Sequence, residues 1–277
     1  MPLQHLIDCF NQRFVEDGGL HEPPLVYREG RVLGRSGGAV FTSRLRPVRL
    51  GSKPSVIRGY DATLRVVEPA TDAEGAALGL FADEAADIVN LDRLTRTVHM
   101  LNFLPISHEG GYLFVHVHPR HILAVKRDHG AYFEEIIVAC GLSPRRVVIS
   151  LTVNPGYTAQ VGLLLERLEN YRARGYATAI KFDIQAEEVF LERYCVEFLN
   201  RHRPDFVRFA SPAHVLGEER RRSALLRAIR RLDTRLLLEA VRDEADAALA
   251  ESLRADCVQG DWYELAVGRT PVLRAAG

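Results

Sequence analysis

The sequence predicts an α/β protein, a (β/α)8 barrel of the TIM type with a short N-terminal extension. After residue 110, short apolar runs alternate with helical patterns, as parallel strands joined by crossover helices do. Two earlier segments, 39–50 and 55–67, alternate apolar and polar residues, which brings the count to about eight strands over about 220 residues. With 277 residues, of which 47% are hydrophobic, the chain can bury a large core.

The N-terminal extension covers residues 1–38. Its first part, residues 3–15, is predicted to be a helix because its apolar residues recur at helical spacing. These residues are Leu3, Leu6, Ile7 and Phe10. Glycine, proline and other turn signals dominate the rest of the extension, so a loop is predicted there.

The barrel is predicted over residues 39–268, and residues 269–277 form a tail. An acidic, loop-like insertion over residues 68–84 precedes a helix over residues 85–103. The later strands are predicted in YLFVHVHP, VVISLTV, ATAIKFD, PDFVRFA, RLLLEAV and DCVQG. Between them, helices are predicted around residues 128–140, along the stripe from Val161 to Tyr171, and over residues 187–201, 215–231 and 243–254.

Composition excludes several classes of protein. Lys plus Arg and Asp plus Glu both number 36, so the net charge is zero, which argues against a nucleic-acid partner. The four cysteines lie far apart and fit neither a zinc pattern nor a disulfide framework. An apolar run of about 18 residues is lacking, so no membrane span is predicted. Residues 1–14 do not have the layout of a signal peptide, and a cytoplasmic location is expected.

In such barrels the functional residues lie at the C-terminal ends of the strands. The polar residues there include Asp61, Arg65, His116, His118, Ser150, Lys181, Arg208, Glu239 and Gln259. A site for two divalent cations needs several converging carboxylates, because Mg²⁺ and Mn²⁺ prefer oxygen ligands. This set does not supply them, and a lysine in a metal site would repel the cation.

Seven stretches, in order and spacing, resemble motifs of the EAL domain family, the (β/α)8 phosphodiesterases that act on cyclic di-GMP. For example, RGYDATLR (58–65) is similar to G-y-E-A-L-l-R, and PDFVRFA (204–210) is similar to P-D-y-V-K-I-D. The other five stretches are LFVHVHPRHI, GLSPRRVVISLT, GYATAIKFDI, LLLEAVRD and DCVQGDWY.

The resemblance places the family's metal ligands on Asp61, His116, Ser150, Lys181 and Glu239, and its V-K-I-D lysine on Arg208. Of these five ligand positions, Asp61 and Glu239 carry carboxylates. Arginine cannot take over the role of a lysine in proton transfer or water positioning without loss. The sequence therefore predicts a degenerate member that has lost phosphodiesterase activity and holds neither a metal nor another cofactor.

The predicted function is regulatory. The barrel would act as a scaffold that binds an unidentified partner protein in bacterial signalling, and the resemblance also makes a homodimer plausible. The alternative is a receptor that binds cyclic di-GMP without cutting it. Arg65 matches the family's phosphate-contacting arginine, and Lys181 and Arg208 add positive charge. Against this alternative, Arg46-Pro47 replaces the family's Q-P pair.

A lesser alternative is a metal-dependent hydrolase that uses His116 and His118, since residues i and i+2 of a strand point to one side. The later His202 and His214 are not predicted at strand ends, which weakens this reading. In the structural alternative, both histidines are hydrogen-bonded residues at the barrel mouth. Glu239, which ends an apolar strand, is predicted to pair with an arginine such as Arg65 or Arg208, because burying an unpaired carboxylate is costly.

The segment from Gly217 to Arg231 carries a run of arginines. It is compatible with a surface for nucleic acid or an acidic partner. The zero net charge and the adjacent Glu218 and Glu219 favour a solvated helix face.

Overall fold

The computed structural model describes residues 3–18, 22–36, 38–68, 85–109, 111–124, 130–153, 155–182, 196, 199–215 and 219–268. Most of the predicted insertion (residues 69–84), most of the predicted helix over residues 187–201 and the tail (residues 269–277) lie outside these ranges. None of the helices within the described residues is both long enough and apolar enough to cross a membrane.

The N-terminal extension contains more structure than the sequence predicts. Helix α1 (Leu3–Gly18) is followed by two short strands, β1 (Leu25–Arg28) and β2 (Arg31–Ser36), where a loop was expected. The strands pair antiparallel with each other, and β2 pairs antiparallel with the next strand along the chain. The prediction of a loop was wrong because this pairing, rather than a local pattern, stabilises the strands.

Two long strands open the predicted barrel. Strand β3 (Ala39–Leu50) and strand β4 (Lys53–Glu68) lie close to their predicted positions, and helix α2 (Ala85–Phe103) coincides with its prediction. Strand β3 pairs with β2 through its first residues. Through Arg49 and Leu50 it pairs with the strand that comes last along the chain.

The remainder alternates between strands and helices. The strands are β5 (Tyr112–Val117), β6 (Val147–Val153), β7 (Ala177–Phe182), β8 (Phe206–Phe209), β9 (Arg235–Leu238) and β10 (Cys257–Val258). The α-helices are α3 (Pro119–Ala124), α4 (Ala131–Ala139), α5 (Val161–Ala173), α6 (Glu219–Arg231), α7 (Glu244–Ser252) and α8 (Asp261–Gly268). Single 3₁₀ segments cover Leu104–Glu109, Pro144–Arg146, Pro155–Gln160 and Pro212–Val215.

The strands form one sheet in the order β1-β2-β3-β10-β9-β8-β7-β6-β5-β4, and β3 also pairs with β4. The eight strands from β3 to β10 therefore close on themselves, and β1 and β2 extend the sheet beyond β3. Strand pairs β5–β6, β7–β8, β8–β9 and β9–β10 are parallel. The predicted eight-stranded barrel is confirmed.

Residue contacts divide the chain into two compact units. The first unit comprises Met1–Arg46, Tyr60–Thr152 and Ala159–Thr178, and the second comprises Pro47–Gly59, Val153–Thr158 and Ala179–Gly277. Phe114, Val115 and Ile149 are fully buried in the core of the first unit.

In the core of the second unit, the rings of Phe182 and Phe209 stack with centroids 5.4 Å apart. Such stacked aromatic pairs add to the stabilisation gained from burial alone. The strand ends are thereby held on rigid, buried cores in both units.

Candidate functional site

In the first unit, Asp61 and His116 form a buried polar pair. Asp61 lies on β4 and His116 on β5, and His116 Nε2 donates a hydrogen bond to Asp61 Oδ1 across 3.1 Å. The Asp61 side chain is 4% exposed and that of His116 is 30% exposed. The His116 side chain is therefore partly accessible to solvent, whereas the Asp61 carboxylate is buried.

Ser150 stands directly beside this pair. The parallel register of β5 and β6 sets His116 opposite Ser150, and Ser150 is fully buried. Its hydroxyl supplies a neutral oxygen where the resemblance places a carboxylate. The first unit thus brings together the predicted residues Asp61, His116 and Ser150.

His99 belongs to the same region and was missed by the sequence analysis. It lies on α2, is 3% exposed, and its Nδ1 is hydrogen-bonded to Ser43 Oγ at 2.7 Å. Burial, and secondarily the nearby His116, lower the pKa of His99 to about 3, so the ring is neutral at ordinary pH. The sequence analysis examined strand ends and therefore missed a histidine on a helix. The sequence does contain a hint, because His99 is a lone polar residue between the apolar Val98 and Met100.

His118 and Arg65 are placed less centrally. His118 directly follows β5 and is exposed. Its Nδ1 accepts a hydrogen bond from the Arg120 backbone N–H at 3.1 Å. Partial burial of the ring lowers its pKa. Arg65 lies four residues after Asp61 on β4, on the same side of the strand, and is exposed.

In the second unit, Lys181, Arg208 and Glu239 form an ionic triad. Glu239 Oε2 accepts from Lys181 Nζ at 2.8 Å, and Glu239 Oε1 accepts from Arg208 Nε at 2.7 Å. The Arg208 side chain is fully buried, whereas those of Glu239 and Lys181 are 10% and 22% exposed. The prediction that Glu239 pairs with an arginine, either Arg65 or Arg208, is confirmed for Arg208, and Lys181 is a second partner that the sequence analysis did not name.

The strand register explains why these three residues meet. Lys181 on β7 stands opposite Arg208 on β8, and the backbone N–H of Glu239, directly after β9, donates to the Phe209 carbonyl at 3.0 Å. Arg208 in turn stands opposite Leu237 on β9, so Glu239 lies two residues beyond that pairing and on the same side, with its carboxylate within reach of both cations. One carboxylate between two cations leaves a net charge of +1.

Gln259 is placed at the end of the last strand. It is 2% exposed, its backbone N–H donates to the Leu238 carbonyl at 2.9 Å, and its carbonyl accepts from the Val241 N–H at 3.1 Å. These bonds link the chain after β10 to the segment after β9.

The two clusters do not fit a pair of divalent cations. In the second unit, both oxygens of Glu239 are bound by cationic side chains, and the Lys181 ammonium would repel a metal cation. In the first unit, His116 donates to the carboxylate of Asp61. Within the described ranges, His, Cys, Asp and Glu side chains do not come together in groups of three or more that could hold a metal ion.

No protein-family model matches the sequence, and no curated protein matches it. Solved structures do. The EAL enzyme Bd1971 superposes with a TM-score of 0.63 and 15% identity over 80% of this chain. The chain has the EAL-domain fold. The MucR phosphodiesterase, solved as a cyclic di-GMP complex, gives a TM-score of 0.64 at 15% identity and covers 80% of this chain and 90% of its own.

The EAL domain of Xanthomonas citri FimX, solved in complex with cyclic di-GMP, covers 94% of this chain and 92% of its own, with a TM-score of 0.61 and 15% identity. This chain spans only 61% of the length of Bd1971. The superpositions establish the EAL fold. At identities this low they do not establish activity, which has to be argued from the residues.

Proposed function

We propose that this chain is a signalling protein with the EAL fold that does not hydrolyse cyclic di-GMP and acts by binding a partner protein. The observation that supports the loss of hydrolysis is the ionic triad of Lys181, Arg208 and Glu239. Hydrolysis by two metal ions requires carboxylates that are free to coordinate them. Here Glu239 is held by an ammonium at 2.8 Å and by a guanidinium at 2.7 Å.

The first unit supports the same conclusion. The resemblance assigns three metal-ligand positions to Asp61, His116 and Ser150. Asp61 is a carboxylate already hydrogen-bonded to a histidine, and Ser150 carries a neutral hydroxyl. A neutral hydroxyl is a weaker ligand for Mg²⁺ or Mn²⁺ than a carboxylate. Restoring the family's residue at any one of the four positions that depart from it would still leave the set incomplete.

The experiment is a turnover assay with cyclic di-GMP and either Mg²⁺ or Mn²⁺, followed by chromatography of the recovered nucleotide. The MucR phosphodiesterase is the positive control under the same conditions. The proposal expects intact cyclic di-GMP after incubation with this chain. Metal-dependent linear dinucleotide, lost in the Asp61→Ala variant, would overturn it.

A second candidate is a receptor that binds cyclic di-GMP without cutting it. The net charge of +1 on the triad and the partial exposure of Lys181 favour it, because an ammonium is suited to pair with a phosphate. The FimX EAL domain and MucR were both solved with this dinucleotide.

Calorimetric titration without metal separates the two candidates. The receptor requires saturable binding that weakens in Arg65→Ala and Lys181→Ala, with Arg31→Ala, another exposed arginine, as the matched control. Absence of binding would leave the partner-binding function alone.

A further inference from the structure

The second unit carries a dense group of exposed arginines on one part of its surface. We call it the arginine surface, and its members are Arg201, Arg203, Arg227, Arg230, Arg231 and Arg235. Arg227, Arg230 and Arg231 lie at helical spacing on the last turns of α6, so they are neighbours on one side of that helix.

Three hydrogen bonds hold the two arginine-bearing segments together. Arg231 Nη2 donates to Asn200 Oδ1 at 2.6 Å, Thr234 Oγ1 donates to the Pro204 carbonyl at 2.8 Å, and the Arg235 N–H donates to the Asp205 carbonyl at 3.0 Å. The segment before β8 and the turn between α6 and β9 are therefore side by side, which gathers the six arginines into one area.

The opposite side of the helix is packed into the core. Ala228 and Ile229 are buried, at 6% and 2% exposure. The arginines thus sit on a fixed base, and Arg235 lies over the Phe206 ring, 5.1 Å from its centroid. A guanidinium held in place loses less conformational entropy when it binds a partner.

Charge on this surface departs from that of the whole chain. The six arginines are accompanied in the same two segments by Asp205 and Asp233, which leaves a local charge of +4, whereas the chain has a net charge of zero. Cations near a helix C-terminus interact with the helix dipole, which accounts for Arg230 and Arg231. The same effect accounts for Arg201 and Arg203, which lie at the C-terminal end of the helical residues 199–202, but not for Arg235, which begins β9.

We infer that the arginine surface is the docking site for an acidic segment of the partner protein, an inference that rests on the proposed function. Guanidinium groups bind carboxylates in a bidentate geometry, and arginine is enriched in protein interfaces. A nucleic acid is the poorer match, because Asp205 and Asp233 lie among the arginines and the chain as a whole has no net positive charge.

The probe for the experiment is a fluorescein-labelled peptide of alternating glutamate and serine, titrated at low ionic strength and followed by fluorescence anisotropy. The test variant is Arg227→Glu/Arg230→Glu/Arg231→Glu. The control variant is Arg31→Glu/Arg58→Glu/Arg145→Glu, which changes three exposed arginines elsewhere and alters the net charge equally. Circular dichroism verifies that both variants are folded.

We expect the test variant to weaken peptide binding by about tenfold or more, and the control to change it far less. Equal weakening in both variants would show a general charge effect and overturn the inference. It would also be overturned if a single-stranded oligonucleotide bound tighter than the peptide with the same dependence on the three arginines. Self-association that the test variant abolishes would assign the surface to a second copy.

The turnover assay with cyclic di-GMP is run on the same variants. It reports on the proposed loss of hydrolysis and does not depend on the arginine surface. A failure of peptide binding with intact nucleotide would therefore overturn the docking site alone.

Discussion

Glu239 sits between two cations, and one of them, Arg208, is completely shielded from water. A buried ion pair contributes little net stability, yet removing one partner is strongly destabilising because the other charge stays buried without compensation. Glu239 is the partner common to both cations, so the stability of this part of the second unit depends on it.

Replacing Glu239 with Gln is expected to lower the free energy of unfolding by about 3–5 kcal/mol, because it leaves the guanidinium of Arg208 without its carboxylate. Urea unfolding measures the change. Glu251→Gln, on an exposed glutamate of α7, is the control and should change stability by less than about 0.5 kcal/mol. Equal stability of Glu239→Gln and the wild type would contradict the assigned triad.

His99 makes stability depend on pH. Burial lowers its pKa to about 3 in the folded protein, whereas an unfolded histidine titrates near about 6.5. Between these values the unfolded state binds one more proton than the folded state. Stability is therefore expected to fall as pH decreases from about 6.5 toward about 3, with His99 contributing about 1.4 kcal/mol per pH unit.

The measurement compares urea unfolding at several pH values for the wild type and for His99→Gln, whose amide can still bond Ser43. The variant should lose the contribution of one proton to the pH slope. His5→Gln, at an exposed position of α1, is the control and should keep it. Identical slopes for the wild type and His99→Gln would show that His99 titrates normally.

At the scale of elements, two asparagines act as partners for strand backbones. Asn102 of α2 accepts from the Val32 N–H at 3.0 Å and donates to the Val32 carbonyl at 2.8 Å. Asn11 of α1 does the same for Leu25, at 2.8 Å for each bond. Each amide side chain thereby supplies the donor and the acceptor that a neighbouring strand would otherwise supply. Buried backbone groups need such partners.

Asn102→Ala is expected to destabilise the protein by about 1–3 kcal/mol, because the N–H of the fully buried Val32 loses its acceptor. Amide hydrogen exchange should accelerate at Val32 and stay unchanged at Leu25. The matched variant Asn11→Ala should give the reverse pattern. Uniform acceleration at both amides in either variant would indicate global unfolding and contradict local pairing.

Gly260 joins β10 to α8 at a point of close backbone contact. A Cβ at this position would lie 2.0 Å from the Val241 carbonyl oxygen and 2.4 Å from its nitrogen. Gly260→Ala therefore forces the backbone apart and should cost about 1–3 kcal/mol or more, seen as a lower melting temperature.

Gly162 on α5 provides the control, since a Cβ there would meet no atom within 4 Å. Gly162→Ala should be neutral or stabilise the helix by up to about 1 kcal/mol. Equal melting temperatures for the two alanine variants would contradict the close approach at Gly260.

At the scale of the whole molecule, the βα alternation could be predicted because buried parallel strands produce apolar runs, and β3 and α2 follow their predictions residue by residue. Strands β1 and β2 were missed although they form a local hairpin that continues into β3; the side chains of Asn11 and Asn102, which complete their hydrogen bonds, come from helices elsewhere in the sequence. Short strands among glycines and prolines lack a local pattern.

The candidate site was predictable to a similar degree. The expectation that site residues lie at strand ends identified Asp61, His116 and Glu239, although Asp61 lies inside β4, and the cost of an unpaired buried carboxylate indicated an arginine partner for Glu239. Lys181 as a second partner depends on the register between β7 and β8, which sequence spacing does not fix. His99 was not predicted as a site residue because it lies on a helix, α2, and not at the end of a strand.

The proposed loss of a centre for two divalent cations is tested most directly by titrating Mn²⁺ into the protein. The free ion is followed by electron paramagnetic resonance, with MucR as the comparison. We predict that the free Mn²⁺ signal rises as in buffer alone, because Lys181 and Arg208 already bind Glu239. Stoichiometric binding of two ions per chain, lost in both Asp61→Ala and Glu239→Gln, would contradict the account.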